Sequence, residues 1–162
     1  METKNLEVYR NNLRHSAAHL LAEAVLKLYP NAKITLGPPI TDGFYYDFDI
    51  DITFSPQDLI AIEREMKRSV KRNSKFECNE LSRAEALEIY KDNPYKIEII
   101  NSMSEEEIIT EYSHSDGKFK DLCRGGHTEK TGEIKALKLL STAGAYWRGD
   151  ENNKMLQRIY GT

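Results

Sequence analysis

Cysteine is scarce in this sequence, at two residues in 162. Two cannot make the disulfide framework of a small secreted fold, so a reducing, cytoplasmic setting is expected. No run approaches the ~20 apolar residues needed to cross a bilayer. The opening Met1-Glu-Thr-Lys4 has no apolar segment like a secretory signal. Neither charge sign dominates. The 23 Lys and Arg stand against 26 Asp and Glu, a formal net charge of −3, which argues against nucleic-acid binding through overall charge but permits a local basic face. Repeats, low-complexity tracts and long linkers are missing too. What remains is 40% hydrophobic and 30% charged, the composition of one globular domain with a sizeable core.

The clearest element is Arg14 to Lys27, rich in Ala and Leu, free of Gly and Pro, and closed by Tyr29-Pro30. At ~100° per residue, Asn12, Ser16, His19, Glu23 and Lys27 share a narrow polar arc, while Leu13, Ala17, Leu20, Leu21, Ala24 and Val25 take most of the rest. His15 and His19, four apart, project from adjacent turns, with His15 at the edge of the apolar surface. A second chemical motif is Asp121-Leu-Cys123-Arg-Gly-Gly-His127-Thr128. Two histidines, a cysteine and a third histidine have the ligand types of a tetrahedral zinc site. They equally suit a set of donors, acceptors and general bases around a polar substrate. Serine at position 16 removes the glutamate that a His-Glu-x-x-His metalloprotease needs. A nucleophilic Cys123–His127 pair requires that sulfur and imidazole meet, which spacing alone does not establish.

The rest of the chain reads as strands mixed with helices. Ala32 to Leu36 and Gly43 to Asp49 form an expected hairpin around Gly37-Pro38-Pro39. Ser55-Pro56 opens a helix to about Arg72, and the capping box Ser82-Arg-Ala-Glu85 opens a shorter one ending near Asn93-Pro94. Tyr95 to Ile100 is β-like. Ile108 to His114, Lys118 to Leu122, Ile134 to Trp147 and Met155 to Tyr160 read as further strands. Without a regular βαβ alternation, the expected fold is α+β, with helices on one face of a largely antiparallel sheet. His114 is expected on a surface loop, and Cys78 as a small buried hydrophobe. The aromatics of Phe44 to Phe48 are expected in the core. Lys67, Arg68, Lys71, Arg72 and Lys75 form a basic cluster, read as a solvated helix end or as a phosphate contact.

Taken in order, His15-x-x-x-His19, Gly43-Phe-Tyr-Tyr-Asp47, Cys123-Arg-Gly-x-His127 and the segment Ala143 to Thr162 resemble the editing domain of bacterial-type threonyl-tRNA synthetase. The alanyl-tRNA synthetase editing domain and its free-standing relatives share the His/His and Cys/His layout but lack this ending. The resemblance covers the chain from about Leu13. It implies hydrolysis of mischarged Ser-tRNA(Thr) while Thr-tRNA(Thr) is spared, in an excised editing domain without the aminoacylation core. Such a domain would meet the serine-bearing acceptor end of tRNA(Thr) and belong to a larger synthetase. Residue by residue, the resemblance gives His15 the attacking water, Lys96 help to the water and leaving group, and Asp121 the substrate amine. His19, Tyr46, Cys123 and His127 complete the pocket. It implies no metal, although the ligand types alone suit zinc. The other reading is a non-catalytic RNA-binding module with those four residues as a structural zinc site. Gly126 departs from relatives, which often carry proline there. The chemical need for editing is plain, because a missing methyl is worth only ~1–3 kcal/mol of discrimination, so a second, hydrolytic sieve must clear serine.

Overall fold

A computed structural model describes residues 2–162. The long helix α1, Glu2–Leu28, starts well before the stretch that the sequence marks most clearly, and it ends ahead of Pro30. From Ser16 to Val25 it is buried on every side. One side meets the larger sheet and helix α2 (Pro56–Arg72). The polar side meets the smaller sheet. The arc of Ser16, His19 and Glu23 therefore faces inward, because each side chain finds a polar partner there.

The larger sheet holds β1 (Lys33–Ile34), β2 (Pro39–Ile40), β3 (Gly43–Asp49), β7 (Leu139–Tyr146) and β8 (Met155–Gly161). Its order is β1-β3-β8-β7, with β2 also on β3, and every pairing is antiparallel. The expected hairpin after α1 is present. Phe44, Tyr46 and Phe48 point from β3 into the core beneath α1 and α2, against Leu20, Leu21, Ile62 and Met66. Helix α2 follows its sequence signals closely. Ser55 and Asp58 close a capping box with Pro56 at the first turn, and Asn73 ends the helix at φ 51°.

The smaller antiparallel sheet has the order β4-β5-β6, made of Glu77–Leu81, Ile109–His114 and Phe119–Leu122. Helices α3 (Arg83–Ile89) and α4 (Pro94–Ser102) pack against it through Ala86, Tyr90, Ile100, Ile109 and Leu122. The class is thus α+β, as expected, with the strands divided between two sheets.

Four local expectations change. Tyr95 to Ile100 is helical, because Asn93 caps α4 with its side chain and Pro94 occupies the first turn. Residues 134–138 do not extend β7; Ile134 and Leu137 anchor a loop in the core instead. Cys78 is exposed, since β4 pairs on one side only and most of it faces outward. His114 closes β5 and is 1% exposed, turned inward onto Glu23 of α1 at 3.2 Å.

Candidate active site

The two sheets, α1 and α4 meet at a cleft of about 590 Å³. His15 and His19 reach it from α1, Lys96 from α4, and Asp121 and Cys123 from the end of β6. Tyr46 lies just beneath, on β3, and His127 stands behind His15 on the loop after β6. The structure therefore gathers all seven residues singled out by motif and resemblance.

The floor is an ion pair. Lys96, 1% exposed, places Nζ 2.5 Å from Asp121 Oδ1 and donates to the Thr35 carbonyl at 2.6 Å. The third contact of Nζ is Tyr46 Oη at 3.4 Å, and the Tyr46 hydroxyl donates to Asp121 Oδ2 at 2.6 Å. An ammonium has three protons, and here three protein oxygens lie within 3.4 Å of it. Burial, together with the Asp121 charge, pushes the Tyr46 phenol well above its usual range, so it stays protonated and keeps donating. Gly37 is forced by this packing. A Cβ there would lie 2.0 Å from the Tyr46 ring.

The second half is a stack of imidazoles. His15 lies against His127 with ring centres 4.0 Å apart, His19 meets His127 edge-on at 4.3 Å, and Phe76 covers the far face of His127. His15 Nδ1 is 3.2 Å from the Gly126 carbonyl. A carbonyl only accepts, so Nδ1 carries the proton and Nε2 keeps its lone pair. Burial lowers the His15 pKa below its ordinary value, against the opposing pull of the Gly126 carbonyl, so the ring is neutral at neutral pH. His19 is lowered further by burial and by the neighbouring rings. Its Nε2 sits 3.7 Å from Asp121 Oδ2, and its buried Nδ1 has no protein partner among the described residues.

His127 is held from both sides. Its Nε2 is 3.2 Å from Cys123 Sγ, and its Nδ1 is 3.0 Å from Ser16 Oγ. Ser16 Oγ also accepts the Thr128 backbone N–H at 3.0 Å and lies 3.2 Å from Thr128 Oγ1, which is 3.2 Å from the Lys130 carbonyl. Thr128 has one hydroxyl proton for two acceptors, Ser16 Oγ and the Lys130 carbonyl. The direction of this chain sets which His127 nitrogen carries a proton, and hence whether Nε2 accepts from the Cys123 thiol or donates to it. Burial pushes that thiol up to about 12 and takes the His127 ring down to about 2. Sulfur and imidazole do meet, but the pair is thiol and neutral imidazole, not the thiolate a cysteine nucleophile requires.

One nitrogen or sulfur atom from each of His15, His19, Cys123 and His127 falls within 4.8 Å of the others. Zinc bonds of ~2.0–2.3 Å would set these atoms roughly 3.3–3.8 Å apart. The donor types fit the metal, and about an ångström of closure is needed.

Sequence reasoning did not single out Thr35, Thr128 or Phe76, and it read Ser16 as a member of the polar arc and as a missing glutamate. Thr35 contributes a backbone carbonyl, for which no residue type is a signal. Ser16 was visible as a hydroxyl next to His15, on the polar arc it shares with His19.

The family described as "Threonyl and Alanyl tRNA synthetase second additional domain" matches residues 109–160. More particularly, the chain is 57% identical over 155 residues to the threonine–tRNA ligase of Clostridium tetani, covering 94% of this chain and 24% of the relative. The Staphylococcus carnosus enzyme is 57% identical over 150 residues, and that of Maridesulfovibrio salexigens 56% over 152, each covering 93% of this chain and 23% of the relative. The resemblance to the editing domain of bacterial-type threonyl-tRNA synthetase holds across nearly the whole chain, which spans about a quarter of the length of these relatives. Among the described residues no helix is long and apolar enough to cross a membrane.

Proposed function

We propose that this domain deacylates mischarged Ser-tRNA(Thr) and spares Thr-tRNA(Thr). The observation that carries this reading is the cleft floor. A neutral imidazole with a free Nε2 stands beside a buried Lys96–Asp121–Tyr46 network, which is what ester hydrolysis with a positioned water needs. In this reading His15 Nε2 accepts a proton from the attacking water. Asp121 holds the aminoacyl amine. Lys96 stabilises charge developing on the ester oxygens, and for a direct contact it must release one of its present partners. His19, Cys123 and His127 shape the pocket with Tyr46 beneath. The reaction as proposed uses no cofactor.

Release of serine and threonine from the two charged tRNAs decides the matter. Serine release alone is expected; equal or absent release sinks the reading. The four-residue donor cluster favours a second reading, an RNA-binding module with a structural zinc. Elemental analysis separates the two. Stoichiometric zinc with unfolding on chelation supports the module, and metal-free active protein removes it.

A further inference from the structure

A second hollow, of about 780 Å³, opens between the end of α1, the end of α2 and the β5–β6 turn. Lys27, Arg72, Lys75 and Lys118 line it, against one exposed carboxylate, Asp116. The other acid, Glu23, is 7% exposed and already engaged by Ser69 and His114. Lys27 is itself paired with Glu65 at 3.7 Å. Lys67 pairs with Glu63, Arg68 with Glu65, and Arg158 with Asp47. Arg72, Lys75 and Lys118 form no ion pair among the described residues, and all three are exposed. Lys130, bridged by backbone pairing to Lys75, adds another cation alongside.

Helix electrostatics explain part of this. Lys27 and Arg72 sit at helix C-termini, where the macrodipole favours cations. Lys75 and Lys118 lie outside any helix, so the macrodipole gives no reason for them. A concave surface with excess cations and few competing carboxylates fits a polyanion whose charges are spaced along a backbone.

We propose that this hollow seats the phosphodiester backbone of the RNA whose 3′ end enters the cleft. The proposal rests on the editing reading for the identity of that RNA. The distance is compatible. Lys27 follows His15 by twelve residues of α1, about 18 Å in a straight line at ~1.5 Å per residue. Because that line runs through the buried stretch of the helix, a strand on the surface needs at least about five steps at ~3.4 Å each.

The test substitutes Arg72→Gln, Lys75→Gln and Lys118→Gln together, with Lys135→Gln as a control elsewhere on the surface. Binding of uncharged tRNA(Thr) is followed by fluorescence anisotropy across a salt series, and single-turnover deacylation is measured at saturating protein. The triple variant is expected to bind at least about tenfold more weakly and to lose about two from the slope of log K against log salt, at ~0.7–0.9 per phosphate contact. The control should match the parent, and the saturated deacylation rate should not change. Unaltered affinity and slope in the triple variant overturn the proposal. So does a loss confined to co-sedimentation with anionic vesicles, which makes the surface a membrane contact. A parent that binds RNA with the expected slope but releases no serine defeats the editing reading and leaves this surface standing. Selective serine release with no effect of the triple variant does the reverse.

Discussion

His15 and Lys96 were grouped by their proposed chemistry, but their surroundings make their substitutions unlike. His15 is half-buried and holds one backbone hydrogen bond. His15→Ala should therefore fold normally and lose ~10²–10⁴ in single-turnover deacylation, the usual range for a general base. Near-normal turnover would remove His15 from the mechanism. Lys96→Ala strips the partner from a carboxylate that is itself 2% exposed. Breaking a buried pair in this way typically costs ~3–5 kcal/mol, so activity lost in Lys96→Ala does not by itself report chemistry. Thermal unfolding must accompany the kinetics, and a Lys96→Ala protein as stable as the parent would contradict the ion pair. Ser16→Ala probes the proton chain. It removes the partner of His127 Nδ1 and the acceptor of the Thr128 N–H, a loss of ~1–3 kcal/mol. It should also release the His127 tautomer, which ¹⁵N imidazole shifts read directly. Parent-like shifts in the variant would show that Ser16 does not set it.

Among the elements, α4 matters most to the site, since its first turn carries Lys96. Asn93 Oδ1 accepts from the Tyr95 and Lys96 amides at 3.1 and 3.3 Å, and Asn93 Nδ2 donates to the Ile34 carbonyl at 2.8 Å. The next carbonyl, Thr35, takes the Lys96 ammonium. One cap thus starts the helix and fastens it to the strand that receives its lysine. Asn93→Ala should cost ~1–2 kcal/mol and lower the deacylation rate in step; a fall in melting temperature with full turnover would mean that Lys96 finds its place without the cap. This helix was missed in the sequence for a physical reason. Tyr, Ile and Ile carry β propensity, and Asn93-Pro94 stops one helix as well as it starts the next. Where local signals agreed, as in the Ser55-Pro56 start of α2, the boundary was legible. Burial was harder to read. His114 lies beside a tight turn in which Ser115 and Asp116 both have φ 55°, and the inward direction of its ring depends on Glu23, 91 residues away in sequence. The histidines and the cysteine of the site were legible as motifs. Tyr46 and Lys96 came only from family likeness, because no local pattern marks a residue whose partners come from distant strands.

At the scale of the whole molecule, the buried ionisable groups set a window of stability against pH. His15 and His19 are lowered below the ordinary 6.5, mainly by burial, and His127 is taken down to about 2. Below pH 6.5 the unfolded chain binds protons that the folded one refuses. Stability therefore falls as pH drops, by at most ~1.4 kcal/mol per pH unit for each ring. Glu23 continues the trend. Burial would raise its pKa, but contacts from His114, Ser115 and Ser69 win and bring it from 4.5 to about 2, so its contribution is lost as pH falls through that interval. On the alkaline side the sign reverses. Burial lifts Cys123 from 9.0 to about 12, and Tyr46 is raised well above 10.0. Above pH 9 the unfolded chain releases protons that the folded one keeps, and stability falls again. Against a total of ~5–15 kcal/mol for a domain of ordinary stability, the His19 and His127 rings refusing protons over two pH units remove at most about 6 kcal/mol, which reaches the lower end of that range. Melting temperature should thus peak on a plateau between pH 6.5 and 9 and drop steeply toward pH 4. His127→Phe keeps the stacking surface and removes one titrating ring, so it should soften the acid limb specifically. An acid limb of unchanged steepness in that variant would assign the loss to other groups.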